Sequence, residues 1–512
     1  MTQLTRSSGL LLHPTSLPGP YGIGEIGEAA LRWIDFLANA RQSVWQILPL
    51  GPTGYGNSPY QTTSVFAGNP LLIDLAELAK EDYISPAELA AAPAFPEHYV
   101  EFERVIEWKI PLLMRAYRRF ADRADERKKE EFQAFCRRHD PLWLEDFALF
   151  MALKEHFKGG SWNTWPEPLK LRQAGVLAEM KEQLGEKILA HKFLQYQFFK
   201  QWGALRRYAN EKGILILGDI PIYVTYDSAE VWATQEKFLL DKEGNPIVVA
   251  GVPPDYFSET GQLWGNPIYN WELMEKEGFR WWIDRVRVTL ECVDLARIDH
   301  FRGFEAYWAV PFTEKTAVNG KWIKGPDRAL FDALTRALGD IPVVAEDLGL
   351  ITPEVEALRD RYGFPGMKIL QFAFGGDPDA PYLPHNFERN CLVYTGSHDN
   401  DTTRGWFETA PPHEREFCLK YIGATRESIP WEFIRLATAS VALLAVFPLQ
   451  DVLDLGSEAR MNVPGKPSGN WGWRYQAGQL QDWHAARLAD LAHLFGRAPR
   501  GKQGEFQQAL GK

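Results

Sequence analysis

Cysteine is scarce in this chain: there are four in 512 residues, Cys136, Cys292, Cys391 and Cys418, with no CxxC pair among them. That spacing excludes a disulfide framework and a cysteine zinc site, and it fits a reducing compartment. Positive charge is also in deficit, with 56 Lys and Arg against 67 Asp and Glu for a formal net charge of -11. The sign is wrong for neutralising a phosphate backbone, so no nucleic-acid partner is expected. No uncharged apolar run approaches the roughly 20 residues that would cross a bilayer, and Met1–Gly9 has no apolar signal-peptide core. A cytoplasmic protein without a membrane partner is the expectation. Internal repeats and low-complexity tracts are absent as well.

What is there is ample apolar material: hydrophobic residues are 45% and charged residues 24%, close to a globular average, which rules out global disorder. At ~150 residues per domain the length allows about three domains, or one large α/β barrel. Aromatics reach 13%, many beside Gly, Pro or Asn as in Gly469-Asn470-Trp471-Gly472-Trp473, and aromatics in loops often face a ligand. Short apolar runs bounded by turn signals predict eight strands: Gly9–His13, Val44–Leu50, Ile214–Asp219, Asp294–Asp299, Ile341–Glu346, Met367–Phe374, Cys391–Thr395 and Leu443–Pro448. Helical periodicity lies between them at Glu28–Ala40, Phe193–Lys212, Phe279–Glu291, Arg328–Leu338, after Thr352-Pro353, and at Trp431–Ala442. Eight alternating βα units predict an α/β fold, a (β/α)8 TIM barrel running through residues 1–512 with helical and loop insertions. Residues 52–192 read as a mostly helical insertion. Residues 223–278 read as a second insertion, a loop or lid.

Active sites of such barrels lie at the C-terminal ends of the strands. Four acids are assigned to the ends of the third, fourth, fifth and seventh predicted strands: Asp219, Asp299, Glu346 and Asp399. Period-two alternation places Arg297 on the face of Asp299, where a guanidinium favours the ionised carboxylate. Crowded carboxylates without an obvious cation are the equipment of retaining glycosyl transfer, one ionised as nucleophile and one protonated as acid and later base. Asp299 suits the first role. Glu346 suits the second, because a neighbouring anion holds its proton until Asp299 becomes an ester.

The flanking segments carry a resemblance. Ala296-Arg297-Ile298-Asp299-His300-Phe301-Arg302-Gly303, Ala345-Glu346-Asp347-Leu348-Gly349 and Gly396-Ser397-His398-Asp399-Asn400-Asp401 resemble the catalytic segments of the α-amylase clan. Gly218–Val224, Gly54–Gln61, Gly9–Pro18 and Pro448–Leu453 narrow this to the 4-α-glucanotransferases, or amylomaltases, over nearly the whole chain. The resemblance implies Asp299 as nucleophile, Glu346 as acid/base and Asp399 as third carboxylate. It further implies sugar-holding roles for Tyr60, Asp219, Arg297, His300 and His398, with Ser58, Asp255, Gln262, Trp264 and Asn470 along the extended subsites and Tyr55 farther out. It implies α-1,4-glucans as donor and acceptor, no cofactor and no metal.

Four other readings compete, one of them a non-enzymatic glucan-binding protein that uses the aromatic cleft alone, against which intact acids at all three catalytic positions argue. Gly22-Ile23-Gly24-Glu25-Ile26-Gly27 is a literal GxGxxG, but the stretch His13–Tyr21 separates it from the preceding strand, which a dinucleotide site does not allow. A metal centre on His300, Asp299, His398, Asp399 and Asp401 lacks an HxH or HExxH pairing. An α-1,4-glucan hydrolase uses the same carboxylate pair and passes through the same glycosyl ester, so spacing alone leaves it open.

Overall fold

A computed structural model describes residues 5–254, 258–423 and 429–499. Its strands, in chain order, are β1 (Ser7–Leu11), β2 (Val44–Gln46), β3 (Leu215–Pro221), β4 (Val248–Val252), β5 (Gln262–Pro267), β6 (Leu295–Asp299), β7 (Ala306–Pro311), β8 (Lys321–Lys324), β9 (Val343–Ala345), β10 (Gly366–Ile369), β11 (Cys391–Tyr394) and β12 (Leu444–Pro448). Eight of them form one parallel sheet in the order β10-β11-β12-β1-β2-β3-β6-β9. The Ala345 amide donates to the Pro365 carbonyl at 2.9 Å, which joins β9 to the start of β10 and closes the sheet into a barrel. Each barrel strand is thus one of the eight predicted from sequence. They read as continuous apolar runs because both faces of a parallel barrel strand are covered, as in the wholly buried β1 and β12.

Several predicted boundaries ran long or short. β2 ends at Gln46 rather than Leu50, and Pro49 has no N–H with which to continue the ladder. β10 gives way at Leu370 to a 3-10 turn instead of reaching Phe374. The helix predicted from Phe193 begins at Gly185, runs to Glu211, and crosses the expected boundary at residue 192. Gly213 and Gly339 take φ of +77° where helices hand over to strands, a conformation glycine adopts without strain.

The segment read as a loop or lid contains two strands. β4 and β5 pair antiparallel, β4 also pairs with β7, and β7 pairs with β8, giving a four-stranded sheet in the order β5-β4-β7-β8. The aromatic excess is mostly packing. Trp33, Trp45, Trp162, Trp202, Trp232 and Trp282 are fully buried, and even Trp471 and Trp473 of the glycine-rich loop are covered. The glycines of the GxGxxG stretch are also packing residues. A Cβ on Gly24 would stand 1.9 Å from the Pro14 carbonyl oxygen, and one on Gly27 would strike Asp74.

Candidate active site

The barrel register builds the site. Asp219 of β3 lies directly opposite Arg297 of β6, and Asp299, two residues on, shares its face. Arg297 is buried and forks between the two carboxylates, Nη1 to Asp219 Oδ2 at 2.6 Å and Nη2 to Asp299 Oδ1 at 2.8 Å. Burial opposes the guanidinium charge, yet Asp219 and Asp299 outweigh it and hold Arg297 cationic. The Tyr60 hydroxyl donates to Asp219 Oδ2 at 2.8 Å. Asp299 keeps a side chain 30% exposed, so one carboxylate faces the cleft while its neighbour Asp219 is fully sealed.

Glu346 follows β9 directly. Its backbone is clamped to β6, with its amide donating to the Ile298 carbonyl at 3.0 Å and its carbonyl accepting from Phe301 at 3.1 Å. The carboxylate accepts from the His300 amide at 2.7 Å and the Leu348 amide at 2.9 Å. His300 reaches that position by turning left-handed, φ +51°, immediately after Asp299. Burial pushes the Glu346 carboxyl up to about 7, Arg297 opposes, Asp299 adds to the rise, and the two amides pull it back. Burial therefore outranks the Asp299 anion, which the sequence argument made the main cause.

Asp399 sits five residues beyond β11 rather than at a strand end. The loop is anchored from below by buried Asp451, which accepts from Thr395 Oγ1 at 2.5 Å and from the Thr403 amide and hydroxyl at 2.7 Å each. The Asp399 side chain remains 48% exposed. Desolvation in the cleft would raise its proton affinity, but His398 Nε2 at 3.4 Å and Asn462 Nδ2 at 2.6 Å prevail and hold it below the usual carboxylate range. His398 stacks on Tyr60 with centroids 5.1 Å apart, and Trp471 closes the trio at 5.9 Å from Tyr60 and 6.0 Å from His398.

The structure thus brings together Tyr60, Asp219, Arg297, Asp299, His300, Glu346, His398 and Asp399. Trp264 meets His300 edge-on at 4.8 Å and donates to Gln262 Oε1 at 3.2 Å, which puts both on the flank of the same mouth. Ser58 Oγ accepts from the Tyr60 amide at 3.2 Å and shapes the turn that aims Tyr60. Asn470 spends both amide atoms on its own loop, accepting from the Val463 amide at 3.0 Å and donating to the Lys466 carbonyl at 2.9 Å. Asp255 lies outside the described residues, as does the side chain of Tyr55. Among the described residues no group of three His, Cys, Asp or Glu is arranged to hold a metal ion, and no helix is long and apolar enough to cross a membrane.

Residues 12–481 match the profile of the 4-alpha-glucanotransferases. The chain belongs to that family. It is 54% identical over 498 residues to the 4-alpha-glucanotransferase of Thermus thermophilus, covering 96% of this chain and 99% of that one. The chloroplastic/amyloplastic 4-alpha-glucanotransferase of Arabidopsis thaliana is 46% identical over 499 residues, covering 96% and 86% of the two chains. The solved amylomaltase of Streptococcus agalactiae, in complex with acarbose, superposes with a TM-score of 0.94 at 39% identity over 96% of this chain and 100% of that one. Within the family frame, sequence reasoning missed Asn462, Arg460 and Trp471 as partners of the third carboxylate and its histidine. The only advance signal for Asn462 and Trp471 was the Gly-, Pro- and Asn-rich composition of residues 462–472, and Arg460 lies just before it.

Proposed function

We propose that this chain cleaves an α-1,4-glucosidic bond of a maltooligosaccharide or starch-like glucan and passes the glycosyl unit to the 4-hydroxyl of a second glucan, with retained configuration. The observation that carries this reading is the pairing of Asp299, held by Arg297 and open to the cleft, with a Glu346 carboxyl raised to about 7 at the end of the adjacent strand. Near neutral pH such a pair offers a nucleophile and a proton donor together. Asp299 attacks the anomeric carbon while Glu346 protonates the departing oxygen, leaving a glycosyl ester and an ionised Glu346. The ester carries no charge, so Glu346 is freer to stay ionised and to take the proton of the incoming 4-hydroxyl. Asp399 binds hydroxyls of the distorted ring, and Tyr60 with His398 presents an aromatic surface for its apolar face.

Insertions 52–192 and 223–278 would then wall the barrel mouth, and the β4–β5 hairpin beside His300 would shelter the ester from water. We place the enzyme in the cytoplasm, with α-1,4-glucans as donor and acceptor. Incubation with maltotriose alone tests the reading. Transfer yields glucose plus longer oligomers with the total of reducing ends constant. Rising reducing ends with only shorter sugars would make the protein a hydrolase, and shortening the hairpin should move the ratio in that direction.

A further inference from the structure

The geometry points to Asn462 as a positioning residue for the third carboxylate, tying Asp399 to the loop that carries Asn470. This rests on the reading of Asp399 given above and adds a residue to it. Asn462 Nδ2 donates to Asp399 Oδ1 at 2.6 Å. Arg460 braces the arrangement from both sides, its Nη2 on the Asp399 carbonyl and its Nε on the Asn462 carbonyl, each at 2.7 Å. The next residue, Val463, donates its amide to Asn470 Oδ1 at 3.0 Å, and Trp471 beside it packs on Tyr60 and His398. One continuous set of contacts therefore runs from Asn470 through Asn462 to Asp399.

The arrangement fixes the orientation of the Asp399 carboxylate. Oδ2 faces His398 at 3.4 Å and Oδ1 is occupied by Asn462, so the carboxylate is fixed about both oxygens before any sugar arrives. The groups facing it are His398, Asn462, Arg460, Arg297 and, across the stack, Tyr60. A carboxylate held this way reaches a ring whose hydroxyls shift only as the transition state forms. Its orientation should therefore matter to kcat more than to KM.

The test compares Asn462→Ala, Asn462→Asp and Asp399→Asn in the full chain with maltotriose as substrate. Loss of a hydrogen bond to a charged group predicts a fall of about 10- to 100-fold in kcat for Asn462→Ala, with KM within about threefold. Asn462→Asp sets a second anion against Asp399, so it should fall further, and its acid limb should move to higher pH. A raised KM with unchanged kcat, or a lowered melting temperature that accounts for the loss, would overturn the proposal and leave Asn462 a purely structural loop residue. Wild-type kcat and acid limb in both Asn462 variants, beside an inactive Asp399→Asn, would overturn it as well while leaving the reading of Asp399 intact. An active Asp399→Asn would instead remove the reading on which it rests.

Discussion

Replacing Asp299 by Asn removes the anion that helps keep Glu346 protonated, and it imitates the neutral ester halfway through the proposed reaction. At the ~5.5 Å separation of a retaining carboxylate pair and an effective dielectric of about 20, one unit charge is worth about 3 kcal/mol, or roughly two pH units. Water in the open cleft screens part of this, so a fall of about one to two pH units is expected. Burial remains in the variant and keeps the carboxyl above an exposed glutamate. Arg297, no longer offset by the Asp299 anion, favours the ionised Glu346 and pulls the same way as the lost charge. The assay is carbon-13 NMR titration of the glutamate side chains, with the Glu346 signal assigned by its absence in Glu346→Gln. The wild-type midpoint should stand at about 7 and that of Asp299→Asn clearly below it. A midpoint that stays at 7 or rises would refute the acid-to-base exchange, because nothing would then tell Glu346 that the ester had formed.

Other outcomes follow from the same geometry. Because Glu346 must begin protonated, kcat/KM should be lost as pH rises through about 7, falling roughly tenfold between pH 6 and pH 8; a flat profile across that span would contradict it. Tyr60→Phe removes the 2.8 Å hydrogen bond to Asp219 while leaving the ring on His398, so kcat/KM should drop about 10- to 100-fold with little change in melting temperature. Glu230 is buried with one oxygen on Ser64 and the other unpartnered, and burial raises it to about 7. Stability tied to its proton is present below about pH 4.5 and lost as pH rises through 7. Glu230→Gln should therefore match wild type at pH 4 and be more stable at pH 8, by on the order of 3 kcal/mol in urea unfolding. A chelator should leave transfer from maltotriose unchanged; a strong loss would revive the metal reading.

The barrel was legible because parallel strands buried on both faces print as unbroken apolar runs, so all eight could be found, with errors confined to their ends. The sheet of β4, β5, β7 and β8 was not. Its two local pairs, β4–β5 and β7–β8, lie on either side of β6 in the chain and are joined only by the long-range β4–β7 pairing, and β8 is exposed along its whole length, leaving no burial pattern to read. At the site, Arg297 and Asp299 could be paired from alternation alone, since both lie on one strand. The hold of Asn462 on Asp399 spans 63 residues and depends on a loop without periodicity, so local pattern could not announce it. Asp399 itself was singled out by its neighbours and assigned to a strand end, whereas a five-residue excursion pinned by Asp451 carries it to the mouth.

The most direct test of the account is to catch the ester. Glu346→Gln incubated with α-maltotriosyl fluoride has a leaving group that needs no proton and lacks the base that would activate an acceptor, so the intermediate should accumulate. Mass spectrometry of the digested protein should find one maltotriosyl group on the peptide bearing Asp299, released when azide is added. A label on Asp399 or elsewhere, or turnover without any labelled protein, would contradict double displacement through Asp299.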